Sequence, residues 1–131
     1  MANPNIVSVA TILGGNLGWN LSATATTTLM TVAAEKIVKV NRITIANVDG
    51  SSAATFDLFV DGLTTAGADG ISPNGASATV YLAKTISVPA DATLVFSDTP
   101  IYLMEGDILK GGASAASDLD LFISYEVLDD A

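Results

Sequence analysis

Any chemistry in this chain must come from carboxylates, hydroxyls and a few amines. Its 131 residues include 14 Asp and Glu, 5 Lys and Arg, no His and no Cys. Without Cys there is no thiolate nucleophile, no iron–sulfur cluster and no disulfide framework. Without His there is no ordinary zinc site and no Ser-His-Asp triad. A carboxylate pair that hydrolyses a glycoside is the scheme with the most raw material. The Asp residues, however, fall mainly in Asp-Gly pairs and on alternating polar faces, where they make turns and solvated strand surface. Sugar sites also draw on aromatic platforms, and only 6% of the residues are aromatic. A Ser–Lys dyad needs a Ser placed beside Lys84 or Lys110, which no spacing here dictates. Lys84 is better explained as a side chain that snorkels at a sheet edge or pairs with an Asp. No enzymatic activity is expected.

Ion and phosphate sites fare little better. Asp118 and Asp120 share one face of a run, and Asp129-Asp130 are consecutive. Calcium takes such oxygens, but no loop has the EF-hand spacing. The Asp-Gly pairs are explained as tight turns. Gly14-Gly15-Asn16-Leu17-Gly18 lacks the Gly-Lys-Ser/Thr that completes a phosphate loop. No cofactor and no metal is expected. Lys36, Lys39 and Arg42 are the only basic cluster in a chain of net charge −9. Phosphate backbones are repelled by such a balance, so no nucleic-acid partner is expected. Asn20-Leu21-Ser22 fits the glycosylation triplet, which also arises by chance. Ile6–Leu13 is apolar, but no Lys or Arg precedes it and Ser8 interrupts it, so it is expected to be a strand and not a signal peptide. No window approaches the roughly 18 to 20 apolar residues of a membrane span, and no membrane partner is expected.

The elements that would position these residues are strands. Half of the residues are hydrophobic and only 15% are charged, which is the opposite of a disordered composition. The length suits one domain over residues 1–131. Period-two alternation dominates. In Asp118–Val127, Leu119, Leu121, Ile123, Tyr125 and Val127 share one face. In Ala54–Asp61, Phe56, Leu58 and Val60 point one way, and Phe59 the other. Leu17–Val32 alternates around Leu17, Trp19 and Leu21. Ala78–Val88 places Val80, Leu82, Ile86 and Val88 together. In Lys36–Val48 the pair Val38 and Val40 is one residue out of phase with Ile43 and Ile45. A β-bulge near Asn41-Arg42, or a strand bending from one sheet to another, accounts for that slip. Thr31–Lys36 holds the one helix-friendly patch and is expected to be a short turn. Turn signals stand at Gly14-Gly15, Asp49-Gly50, Asp61-Gly62, Asp69-Gly70, Pro89-Ala90-Asp91, Glu105-Gly106-Asp107 and Gly111-Gly112.

These runs predict an all-β fold: a two-sheet antiparallel β-sandwich, jelly-roll-like, of about eight strands. A short N-terminal strand or arm covers about residues 1–15. A long loop covers residues 62–77, and loops of that length often make contacts.

So large an apolar fraction points to contacts with other proteins. Phe59 and Phe122 lie on otherwise polar strand faces. Either a loop folds over them, or together they form an apolar patch that marks a contact site. Ile6, Val7 and Val9 in the N-terminal strand, and Ile71 in the long loop, complete the candidate contact set. Trp19, Tyr81 and Tyr102 are the platforms of a competing reading, a carbohydrate-binding module.

The C-terminal third carries a further pattern: Ile86-Ser87-Val88-Pro89, then Ile101-Tyr102-Leu103-Met104-Glu105-Gly106-Asp107, then an Ala/Ser-rich turn leading to Ser124-Tyr125-Glu126. This stretch resembles the small virion structural proteins of tailed bacteriophages, particularly those infecting cyanobacteria. The resemblance implies a non-enzymatic virion component and carries over no catalytic residue. The expectation that follows is a capsid decoration (cement) protein on the outer surface of the head. It would associate with itself as a cyclic homo-oligomer, with a trimer favoured, and would bridge copies of the major capsid protein. The alternatives are a tail, neck or fibre component, and the carbohydrate-binding module of a host-recognition device. An outward location suits the acidic charge, because a DNA-facing surface gains from basic residues.

Overall fold

The computed structural model describes residues 9–62 and 79–129. Nine strands occur among the described residues: β1 (Thr11–Asn20), β2 (Thr27–Thr31), β3 (Lys36–Asn47), β4 (Ala54–Asp61), β5 (Thr79–Val88), β6 (Thr93–Ser97), β7 (Ile101–Leu103), β8 (Ile108–Ala113) and β9 (Leu119–Asp129). One sheet has the order β1-β9-β3-β6, with β7 also paired to β3; the other has the order β2-β8-β4-β5. Every pairing is antiparallel. The chain is thus one long ribbon doubled back between β4 and β5. Its two arms pair as β1 with β9, β2 with β8, β3 with β6 and β7, and β4 with β5. Wrapping that ribbon joins β9 to β3 and β8 to β4. This is jelly-roll connectivity in a two-sheet sandwich, as the sequence predicts.

The alternating runs supply the core. Leu119, Leu121 and Ile123 face inward from β9, Phe56, Leu58 and Val60 from β4, and Ile43 and Ile45 from β3. Phe56 meets Phe96 edge to face across the sandwich, with ring centroids 5.8 Å apart. Among the described residues, Asn47 is one of two buried polar side chains. Its Nδ2 donates to the carbonyls of Ser52 and Val88, each at 2.9 Å, and its Oδ1 accepts from the Asp49 N–H. A buried amide costs little when all its groups are paired in this way. It ties the end of β3 in one sheet to the end of β5 in the other.

The slip in Lys36–Val48 is a β-bulge: the β3–β9 register shifts between Val40 and Arg42. On the other side of β3, β7 pairs with Val38–Val40 and β6 with Ile43–Ala46. Two short strands thus lie along β3, split opposite the bulge at Asp98-Thr99-Pro100. Proline offers no N–H to the ladder there.

Three expectations fail. Leu17–Val32 is not one strand. A knot of hydroxyl contacts, Ser22 with Thr27 at 2.9 Å and Thr27 Oγ1 to the Thr24 carbonyl at 2.9 Å, turns the chain from one sheet to the other. Gly14-Gly15 and Gly111-Gly112 are strand interior and not turns. The missing side chains of Gly111 and Gly112 admit neighbours: a β-carbon would stand 2.4 Å from the Asp57 carbonyl oxygen at Gly111 and 2.5 Å from that of Thr24 at Gly112. Ile86 does not share an inward face with Val88. Thr85 has a φ of 55°, its N–H is held by Asp57 Oδ1 at 2.6 Å, and the β4–β5 register shifts here, which leaves Ile86 exposed.

Candidate interaction surface

The solvent face of the β1-β9-β3-β6 sheet carries Phe122. The ring belongs to the even-numbered positions of β9, opposite in phase to Leu121 and Ile123, and is 48% exposed. Its cross-strand neighbours are Gly18 on β1 and Thr44 on β3, and Thr44 in turn pairs with Val95 on β6. Gly18, Phe122, Thr44 and Val95 thus form an uncharged row across four strands. Val95 is exposed because Leu94 and Phe96 pack against the core. A shallow groove of about 370 Å³ runs beside the row, over Ala46 and Asp120. Asn20 Nδ2 donates to Asp120 Oδ1 at 2.7 Å at its end. On the far side of the row, the pairs Ser124–Arg42 and Glu126–Lys39 return the face to polar character.

Phe59 does not join this patch. It projects from the other sheet, where its cross-strand partners are Tyr81 on β5 and Lys110 on β8. The Tyr81 ring packs on it with centroids 5.1 Å apart, and Phe59 is only 4% exposed. Lys110 pairs with Asp61 at 2.7 Å, and Lys84 stands over the Tyr81 ring, 4.8 Å from its centre. The expectation that Phe59 and Phe122 share one exposed surface is therefore corrected: they lie on opposite sheets, and Phe59 is covered. Val9 is half-buried just before β1. Ile6, Val7 and Ile71 lie outside the described residues.

A second apolar feature is the β1 edge. Among the described residues no strand pairs with β1 on the side away from β9. Ile12 and Leu13 are 62% and 56% exposed. Between the edges β1 and β2 the sandwich opens into an apolar cleft of about 290 Å³, lined by Leu17, Leu29, Met30, Val38, Tyr125 and Val127. Ile12 and Leu13 fall within the apolar run at the start of the chain but outside the contact set drawn from it. Val95 was legible as well, since Leu94 and Phe96 alternate with it.

The three aromatics of the carbohydrate reading do not converge. Trp19 is packed against the core and its Nε1 donates to the Leu29 carbonyl at 3.3 Å. Tyr81 lies on the β2-β8-β4-β5 sheet, and Tyr102 pairs with Lys39 at the far edge of the other. No cluster of three or more acidic residues suited to a metal ion occurs among the described residues. The Asp120 carboxylate is engaged by Asn20. Lys36 of the basic cluster is ion-paired with Asp129. The carboxyls of Asp61 and Asp107 are shifted. Hydrogen bonds from Lys110 and Thr79 lower that of Asp61. Burial raises that of Asp107, against the opposing hydrogen bond from the Met104 N–H. Both serve the frame: Asp61 links β4 to β8, and Asp107 closes the β7–β8 turn.

No family model matches the chain, and no curated protein matches it. Two solved structures resemble its fold. A chain from Bacillus endospore appendages, described as a novel family of disulfide-linked pili, is 15% identical with a TM-score of 0.43, covering 92% of this chain and 90% of that one. A chain from infectious bursal disease virus, Gt strain, is 11% identical with a TM-score of 0.32, covering 92% of this chain and 30% of that one. This chain has no Cys for a disulfide link. At these values neither likeness bears on what the chain does.

Proposed function

We propose that this protein is a virion structural component: a capsid decoration protein whose copies associate with one another and bridge neighbouring major-capsid subunits on the outer surface of the head. The observation that carries the reading is the uncharged row Gly18, Phe122, Thr44 and Val95 on the solvent face of one sheet. A protein of net charge −9 repels other acidic proteins, so an uncharged row of side chains is where it can approach a capsid subunit. Phe122 offers an aromatic anchor of the kind that carries interface energy. Asp61, Asp107, Asp120, Lys36 and Lys110 are engaged in structural ion pairs and hydrogen bonds, as suits a mechanical role. Stabilisation then arises from many modest contacts acting together, each copy adding buried area across a joint between capsid subunits.

The test is the occupancy of Phe122→Asp on particles lacking the endogenous protein. A loss of about tenfold or more in affinity is expected, with the far-UV spectrum unchanged. Undiminished binding contradicts the proposal. Binding of a glycan by the isolated protein, with none to particles, would favour the host-recognition module.

A further inference from the structure

We infer that two copies of this chain pair antiparallel through their β1 strands, joining two jelly rolls into one continuous sheet about a two-fold axis centred on Asn16. The inference rests on the reading of the chain as a self-associating structural protein.

Natural edge strands are protected by charge, by proline, by bulges or by brevity. Strand β1 has none of these. Its sequence, TILGGNLGWN, contains no charged residue and no proline. Its register with β9 runs without a shift through all ten residues. The other described edges are protected: β2 is five residues long with a register shift, β5 carries Lys84 and two shifts, and β6 and β7 are five and three residues long. A second β1 is therefore the best-matched partner for the first, and it brings no carboxylate of either acidic molecule into the pairing.

The phase of the free backbone groups fixes how two copies meet. Leu21 N–H donates to the Leu119 carbonyl, so odd-numbered positions of β1 exchange bonds with β9. Ile12, Gly14, Asn16, Gly18 and Asn20 turn their N–H and C=O groups outward. With the axis at Asn16, Ile12 pairs with the partner's Asn20, Gly14 with the partner's Gly18, and Asn16 with the partner's Asn16. Every outward group from Ile12 to Asn20 is then matched. On the inner face this register sets Leu13 opposite the partner's Trp19. It covers a leucine that is 56% exposed in the single chain although its phase points it to the interior.

Native mass spectrometry and sedimentation of the purified chain at micromolar concentration test the pairing. A species of twice the 13.3 kDa chain mass is expected. Asn16→Pro removes an outward N–H without touching the β9 ladder, and is expected to give a folded monomer. Asn16→Asp, an isosteric change at an exposed site, guards against misfolding of the proline variant. It sets two carboxylates against each other on the axis and is expected to weaken dimerisation about tenfold. Phe122→Asp, on the sheet face, should leave the dimer intact. If wild type forms a dimer or trimer that both Asn16 variants preserve, self-association stands and the β1 pairing is overturned. If wild type is a monomer, the pairing and self-association fail together, while binding to particles through Phe122 is unaffected.

Discussion

The ring of Tyr125 lies over the α-carbon of Gly15, its antiparallel partner across β1 and β9. A β-carbon at position 15 would stand 2.8 Å from Tyr125 Cζ and 2.9 Å from its hydroxyl oxygen. Glycine inside a strand is normally a weakness, and an aromatic ring laid across it restores cover. Gly15→Ala is therefore expected to destabilise by about 1–2 kcal/mol through the displaced ring. In a Tyr125→Leu background the same change should cost less, because the obstructing atoms are gone. A double-mutant cycle by urea denaturation measures the coupling; equal costs in the two backgrounds would show that the ring does not constrain Gly15.

The two phenylalanines at contrasting positions should separate cleanly. Phe59→Asp puts a carboxylate among Tyr81, Lys110 and the body of the sheet, and a loss on the order of 3 kcal/mol or more is expected. Phe122→Asp changes an exposed ring and should move stability by no more than about 0.5 kcal/mol. Thermal melts of the purified variants check both.

That contrast shows where the sequence is legible and where it is not. The odd positions of β9 and the even positions of β4 name most of the core directly, because the apolar side chains alternate there. The phase slip in β3 locates the bulge beside Asn41. Phe59 has the same phase as polar Thr55 and Asp57, and alternation alone cannot say that Tyr81 covers it. That contact depends on the β4–β5 register, which shifts on either side of Leu58. The shift accompanies the left-handed Thr85 and its bond to Asp57, a non-local event without a local signal. The β1 edge was hidden for a related reason: Gly14-Gly15 has the composition of a turn, and only the ring of Tyr125, 110 residues further along the sequence, explains it as strand.

Asn47 is the polar joint between the sheets. Asn47→Ala would strand the carbonyls of Ser52 and Val88 and the Asp49 N–H in a buried place. A cost of about 2–4 kcal/mol is expected, and urea midpoints measure it. A stability within error of wild type would mean that water reaches these groups.

The carboxyls of Asp61 and Asp107 should give acid responses of opposite sign. The folded-state value of Asp107 is raised, so its favourable contribution is complete below the ordinary aspartate range and is lost as pH rises through the raised value. Asp107→Asn keeps an acceptor for the Met104 N–H and should melt higher than wild type at pH 7, with the difference closing in acid. The folded-state value of Asp61 is lowered, so its contribution is present above the ordinary range and is lost as pH falls through the lowered value. Asp61→Asn should melt lower than wild type at pH 7, with that difference also closing in strong acid. Melting temperatures of the three proteins from pH 2 to pH 7 test both signs, and parallel curves would contradict both assignments.

The most direct measurement is cryo-EM, at side-chain resolution, of intact virions that contain this chain. On the order of hundreds of copies per particle are expected, on the outside of the head, with Phe122 enclosed at a joint between major-capsid subunits. A dozen copies in a tail ring would contradict the cement role, and Phe122 facing open solvent in every copy would contradict the proposed capsid interface.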